Sequence, residues 1–220
     1  AAVKSNRTNG RDGMLDRWRA LAVLAFTQFL LILDTAIINV AVPSIGADLD
    51  ISPAGLSWVA NAYLIAFGGL LLLGGRTADH VGRRRVFAVG LAVLVAGSVI
   101  GAVAGSAGWL IAGRAVQGAA AALAAAAAFA LVLSIFPEGP DRHRALGIFA
   151  AMAGAGGAVG TVLGGVLTDW LGWRSTFVLN VVVGVVLLVL SLRVLPEVRA
   201  ERRAGGFDVA GALTVTGGLA

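Results

Sequence analysis

Apolar residues run through this chain in long blocks instead of alternating with polar ones at the 2- or 3.6-residue periods of a water-facing strand or helix. Six blocks, about Trp18 to Val42, Pro53 to Gly74, Val86 to Gly105, Trp109 to Phe136, Ala145 to Thr168 and Ser175 to Leu195, approach or exceed 20 residues. That is the length an α-helix needs to cross about 30 Å of hydrocarbon at 1.5 Å per residue. No charge falls between Arg85 and Arg114, yet the apolar run continues to Phe136, so two spans are required there. GSAGW at 105–109 is the expected hairpin between them, because Gly breaks helices and Trp favours the interface.

Composition agrees with this pattern: 58% of the residues are hydrophobic and 13% charged, against about a quarter charged in a soluble domain. The basic residues lie between the apolar blocks, which argues for topology signals and against a nucleic-acid surface. Lys4, Arg7, Arg11, Arg17, Arg19, Arg76, Arg83, Arg84, Arg85, Arg142, Arg144, Arg193, Arg199, Arg202 and Arg203 fall on one side, Arg174 on the other, and Arg114 within a span. The excess of Lys and Arg marks the cytoplasmic side, so we expect residues 1–17 to be a cytoplasmic tail and 196–208 a cytoplasmic linker. The first apolar block is too long and too polar at its centre for a cleaved signal peptide. A further apolar run from Val209 to the last residue is expected to begin a seventh span, cut short.

Cys is absent and the two His share no ligand-like spacing, so no metal site is expected. The Ala run at 121–130 reads as helix-packing surface. AMAGAGGAVGTVLGG at 151–165 follows no strand and lacks the dinucleotide spacing.

Asp34 is the single acid inside a span. A carboxylate there costs several kcal/mol unless paired, hydrated or protonated, so it is a functional candidate. It lies about 13 Å below the outer end of its block, and Arg114 lies about 9 Å below the outer end of its own; an ion pair between them is geometrically feasible. In such a pair the cation favours the ionised carboxyl and the low dielectric the neutral one, which suits proton coupling. A permanent structural bridge is the competing reading.

GRTADHVGRRR joins the second and third blocks through Gly75, Asp79, Gly82, Arg83 and Arg84. Glycines allow the chain to reverse, and Asp79 can latch onto a helix N-terminus or an Arg; Arg83 to Arg85 individually read as topology anchors. Gly147, Gly156, Gly160, Gly164 and Gly165 in the fifth block permit close packing or bending, and the pattern alone favours neither. Asn39, Asn61 and Gln117 are candidate cavity residues, with Asn180 a further amide; interhelical hydrogen bonding is the commoner use of such groups.

Together these segments resemble the major facilitator superfamily, most closely its drug:proton antiporters of the fourteen-span branch. The cytoplasmic loop pattern is matched from Gly75 to Arg84, with His80 in its first basic slot, and the fourth-span pattern at Arg114, Gln117 and Gly118. The fifth-span antiporter pattern is matched at Gly147, Gly156, Gly160, Gly164 and Gly165, with Thr161 where that pattern has Pro. LDTAIINVAVP from Leu33 resembles the first-span pattern, with Ala36 for its Thr; GWRSTFVLNVVVG from Gly172 and GGFDVAGALTVTGG from Gly205 resemble the starts of spans six and seven. The resemblance implies an all-α membrane fold, a six-helix N-terminal bundle (18–195) of two inverted three-helix repeats. It also implies a C-terminal bundle elsewhere in the same chain, with substrate bound between the two. A proton gradient would drive export of lipophilic or cationic drugs, with Asp34 and Arg114 in proton coupling, no cofactor and no enzymatic activity. Location in the plasma (cell inner) membrane follows. A metabolite uniporter or symporter, for which Thr161 argues, or a non-transporting half-carrier partner, are the alternatives.

Overall fold

The computed structural model describes residues 2–197, with side chains described from Met14 onward. The expected linker beyond 197 and the expected seventh span lie outside the described residues. Six helices follow one another: α1 (Ala2–Leu49), α2 (Pro53–Val81), α3 (Arg83–Ala102), α4 (Ala107–Ile135), α5 (Pro140–Leu171) and α6 (Arg174–Val194). All six are long and apolar enough to cross a membrane, α1 from Met14 on.

Helices α1, α2 and α5 overrun their apolar blocks, whereas α3 stops at Ala102, short of Gly105. Residues expected to form a tail are continuous with α1, which at its other end runs through Pro43 to Leu49. Pro removes one backbone bond and usually ends a helix, but in apolar surroundings breaking the helix would strand still more backbone groups. At its C-terminal end α2 extends past Gly74, so most of GRTADHVGRRR is helical and the reversal falls on Gly82 alone, at φ 115°, a conformation only Gly adopts without strain. The α3–α4 hairpin lies at 103–106, not 105–109: Ser106 has extended backbone before α4, and Gly108 and Trp109 belong to its first turn.

α1 packs on α5, α2 on α4 and α3 on α6, with α3 also packed extensively on α4. Exchanging the first three helices with the last three maps the first pairing onto the second and the third onto itself, as two three-helix repeats require. Helix interfaces rest on Gly and Ala, which let backbones approach: a Cβ on Gly74 of α2 would lie 3.1 Å from the Ala122 carbonyl of α4, and one on Gly90 of α3 2.8 Å from Ala124 N, also of α4.

Polar contacts gather the basic turns at one end. Arg142 donates to the last α4 carbonyls, Phe136 O at 2.8 Å and Leu133 O at 3.0 Å, where the helix dipole favours a cation. At the other end Asp48 accepts from Arg174 at 2.6 Å and Trp173 at 3.0 Å, while Arg174 also donates to Ala104 O at 3.0 Å.

Candidate functional site

Asp34 on α1 and Arg114 on α4 are each 1% exposed. Arg114 Nη1 donates to Asp34 Oδ2 at 2.6 Å and to Gln117 Oε1 at 3.0 Å, and its Nε lies 3.4 Å from the Val59 carbonyl of α2. Its guanidinium stacks 4.3 Å from the centre of the Tyr63 ring, an attraction strengthened by burial. Asn180 Nδ2 of α6 donates to the other carboxylate oxygen of Asp34. Gln117 in turn donates to Ser98 of α3 at 2.8 Å. One ion pair and its hydrogen bonds therefore join five of the six helices, and a buried pair is stable only with such support.

Local sequence explains the geometry. Arg114, Gln117 and Gly118 lie within one turn or so of α4, so Arg and Gln share a face. A Cβ on Gly118 would collide with the Tyr63 carbonyl; its absence lets α2 approach closely enough to present the Val59 carbonyl and the Tyr63 ring. The α5 glycines act on α1 in the same manner. Gly156, Gly160 and Gly164 face Phe29, Leu33 and Ile37, with Cβ positions 2.5 to 3.1 Å from that backbone, whereas a Cβ on Gly147 or Gly165 would meet nothing within 4 Å. Thr161 is exposed on the far side, its hydroxyl donating to the Gly157 carbonyl at 3.0 Å, and α5 runs uninterrupted past it.

A cavity of about 300 Å³ opens beside the ion pair, lined among others by Thr35, Asn39, Tyr63, Leu64 and Phe67. Tyr63 belongs to both, bordering the cavity and stacking on Arg114. Of the candidate amides, Asn39 lines this cavity, Asn61 is exposed elsewhere and Gln117 is fully buried within the hydrogen-bond chain.

At the basic end, Arg83 donates to Asp79 Oδ1 through Nε at 3.1 Å and Nη2 at 2.9 Å, and its Nη1 reaches the Ala130 carbonyl at 3.2 Å and the Ser134 hydroxyl. Arg84 donates to the Leu192 carbonyl of α6. Beyond the topology-anchor reading of these two arginines, each ties the α2–α3 turn to another helix. Gly75 faces open space; its neighbour Gly74 makes the close contact with α4.

The sequence model of the Major Facilitator Superfamily matches residues 24–215. The chain belongs to that superfamily. Among its relatives are the cephamycin export protein CmcT of Amycolatopsis lactamdurans, 47% identical over 99% of this chain and 45% of the relative. The puromycin resistance protein pur8 of Streptomyces alboniger is 44% identical over 99% of this chain and 42% of the relative. The chain therefore spans less than half the length of the curated relatives it matches. Crystal structures of a peptide transporter POT superpose with a TM-score of 0.75 at 19% identity over 90% of this chain and 44% of theirs, a likeness of fold. With six spanning helices, this superfamily member is a multi-pass membrane protein.

Sequence reasoning missed Tyr63 and Ser98, and considered Asn180 without placing it at Asp34. Asp48 was missed too, although Asp48 and Arg174 are conspicuous charges in segments otherwise poor in them.

Proposed function

We propose that this chain is the N-terminal half of a proton-coupled exporter, a drug:proton antiporter of the fourteen-span type working by alternating access. The observation that carries the reading is the buried Asp34–Arg114 pair beside an apolar, aromatic-bordered cavity. An intramembrane carboxylate held by one cation and one amide can change protonation as its surroundings alternate. Protons entering from outside bind Asp34, a bound lipophilic or cationic compound leaves outward, and the carrier returns inward to release the proton. The proton gradient supplies the energy, with no cofactor and no enzymatic step. A second six-helix bundle of the same chain completes the cavity. The N-terminus faces the cytoplasm of the plasma (cell inner) membrane, which is what the one-sided distribution of Lys and Arg favours. Asp79 and Arg83 serve as a latch at the cytoplasmic face, and the glycines of α5 let that helix slide on α1. The names of the two relatives, an export and a resistance protein for antibiotics, support the substrate class.

The test is efflux of a fluorescent cationic dye from cells expressing the full-length protein, with and without a protonophore, and with Asp34→Asn beside the parent. Protonophore-sensitive efflux that Asp34→Asn abolishes, with membrane insertion intact, is the expected result. Normal export by Asp34→Asn removes Asp34 from the mechanism. Absence of dye efflux favours the second reading, a metabolite uniporter or symporter, to which Thr161 in the antiporter Pro position points.

A further inference from the structure

We propose that Asn180 is the second partner of the proton-binding carboxyl, serving both of its protonation states: its amide donates to charged Asp34 and, turned over, accepts from the protonated acid. The inference rests on the reading of Asp34 as the proton-binding group and adds to it the residue that lets the proton stay.

The groups facing Asp34 are Arg114 from α4, with Tyr63 of α2 stacked beneath it, and Asn180 from α6. At this level α5 meets α1 through Gly156 and Gly160, which bring no titratable side chain. The immediate partners of the carboxylate, Arg114 Nη1 and Asn180 Nδ2, are both donors. That set suits an anion. A carboxylic acid also needs an acceptor for its O–H, and guanidinium offers none. Gln117, the nearest other amide, is committed: its oxygen accepts from Arg114 and its nitrogen donates to Ser98. An acceptor these contacts leave unused is Asn180 Oδ1, which is buried and has no hydrogen-bond partner among the described residues.

An Asn amide is nearly symmetric in outline, and its terminal torsion is broad and roughly two-fold. Turning it by half a rotation about Cβ–Cγ exchanges Oδ1 for Nδ2 with little displacement of heavy atoms. The step balances as one proton added to Asp34 Oδ1. An O–H bond forms, the amide turns, Oδ1 of Asn180 accepts that O–H, and no heavy-atom bond breaks. Arg114 continues to donate to Asp34 Oδ2, now a carbonyl oxygen, and the pair passes from neutral to a single positive charge. A Leu of similar volume would satisfy neither state, while a residue able only to donate would satisfy the charged one alone.

The experiment is infrared difference spectroscopy, acid minus alkaline, on the full-length protein in lipid nanodiscs. Wild type is expected to show a carboxylic C=O band that Asp34→Asn lacks. In Asn180→Leu that band moves to higher wavenumber, because an O–H without an acceptor leaves the carbonyl bond stronger. In Asn180→Ser, whose hydroxyl both donates and accepts, the band lies nearer its wild-type position. A second measurement needs no Asn180 variant: with side-chain-labelled Asn, an amide band should shift on acidification in wild type and stay still in Asp34→Asn. An Asp34 band unmoved in Asn180→Leu, or a labelled amide band that ignores acidification, overturns the proposal and leaves proton coupling at Asp34 standing. A spectrum in which Asp34→Asn removes no band overturns proton binding at Asp34 and this inference with it.

Discussion

The α5 glycines give the most quantitative prediction. A Cβ on Gly160 would sit 2.9 Å from both the Ala36 Cβ and the Leu33 carbonyl oxygen and 3.1 Å from the Leu33 Cα. Ordinary contact begins near 3.4 Å, so Ala requires α5 to retreat by about half an ångström, and the γ-methyls of Val by more. Because the obstacle is mostly α1 backbone, no rotamer change relieves it. Overpacking of this kind costs about 1–3 kcal/mol. At about 2–4 °C per kcal/mol, the scaling for soluble domains of this size, Gly160→Val should lower the melting temperature by roughly 2–12 °C, with Gly160→Ala at the lower end. The assay is intrinsic tryptophan fluorescence of the purified full-length protein during heating. Gly154→Ala is the control: its Cβ meets nothing within 4 Å, and it should stay within about 1 kcal/mol of the parent. Equal melting of Gly160→Val and Gly154→Ala would refute the claim that this face holds α5 against the turn of α1 carrying Asp34.

Two further expectations concern the basic end. Asp79→Asn keeps an acceptor but loses the charge that holds Arg83, so transport should slow with substrate affinity unchanged; a large rise in the dissociation constant for substrate contradicts a latch. Arg142→Ala frees the Leu133 and Phe136 carbonyls at the end of α4 and should destabilise the protein by about 1–2 kcal/mol, readable as a lower melting temperature; an unchanged one would mean solvent satisfies those carbonyls equally well.

Asp34 and Arg114 were legible in the sequence because a charge inside a long apolar block is costly unless paired, hydrated or protonated. Asn180, Ser98 and Tyr63 were not, since amides, hydroxyls and single aromatics occur in spans for many reasons, and only the packing of α6, α3 and α2 around the pair gives each a partner. The four-residue spacing of Gly156, Gly160 and Gly164 announced a smooth helix face but not its neighbour. Nor did it separate them from Gly147 and Gly165, where a Cβ would meet nothing within 4 Å. Helix ends were misjudged where Pro43 and Gly75 were read by their propensity in water, where a frayed turn is readily solvated.

The repeat symmetry gives the ion pair its leverage. Asp34 and Arg114 stand on α1 and α4, the first helices of the two repeats, and each of these is gripped by the second helix of the other repeat. The grip is made through glycine in both cases: Gly156, Gly160 and Gly164 of α5 on α1, and Gly74 of α2 on α4. Interfaces of this kind carry few interlocking side chains, and the Asp34–Arg114 contact at 2.6 Å is a buried polar tie across them. Leaving either charge without its partner costs about 3–5 kcal/mol when both are fully buried, which holds the repeats in register while Asp34 is ionised. A proton on Asp34 cancels the carboxylate's charge without removing a packing contact, and leaves Arg114 as a buried cation held by hydrogen bonds alone. On the proton-coupling reading, protonation thereby turns an ion pair between the repeats into a hydrogen bond from a cation to a neutral acid, a weaker tie between them.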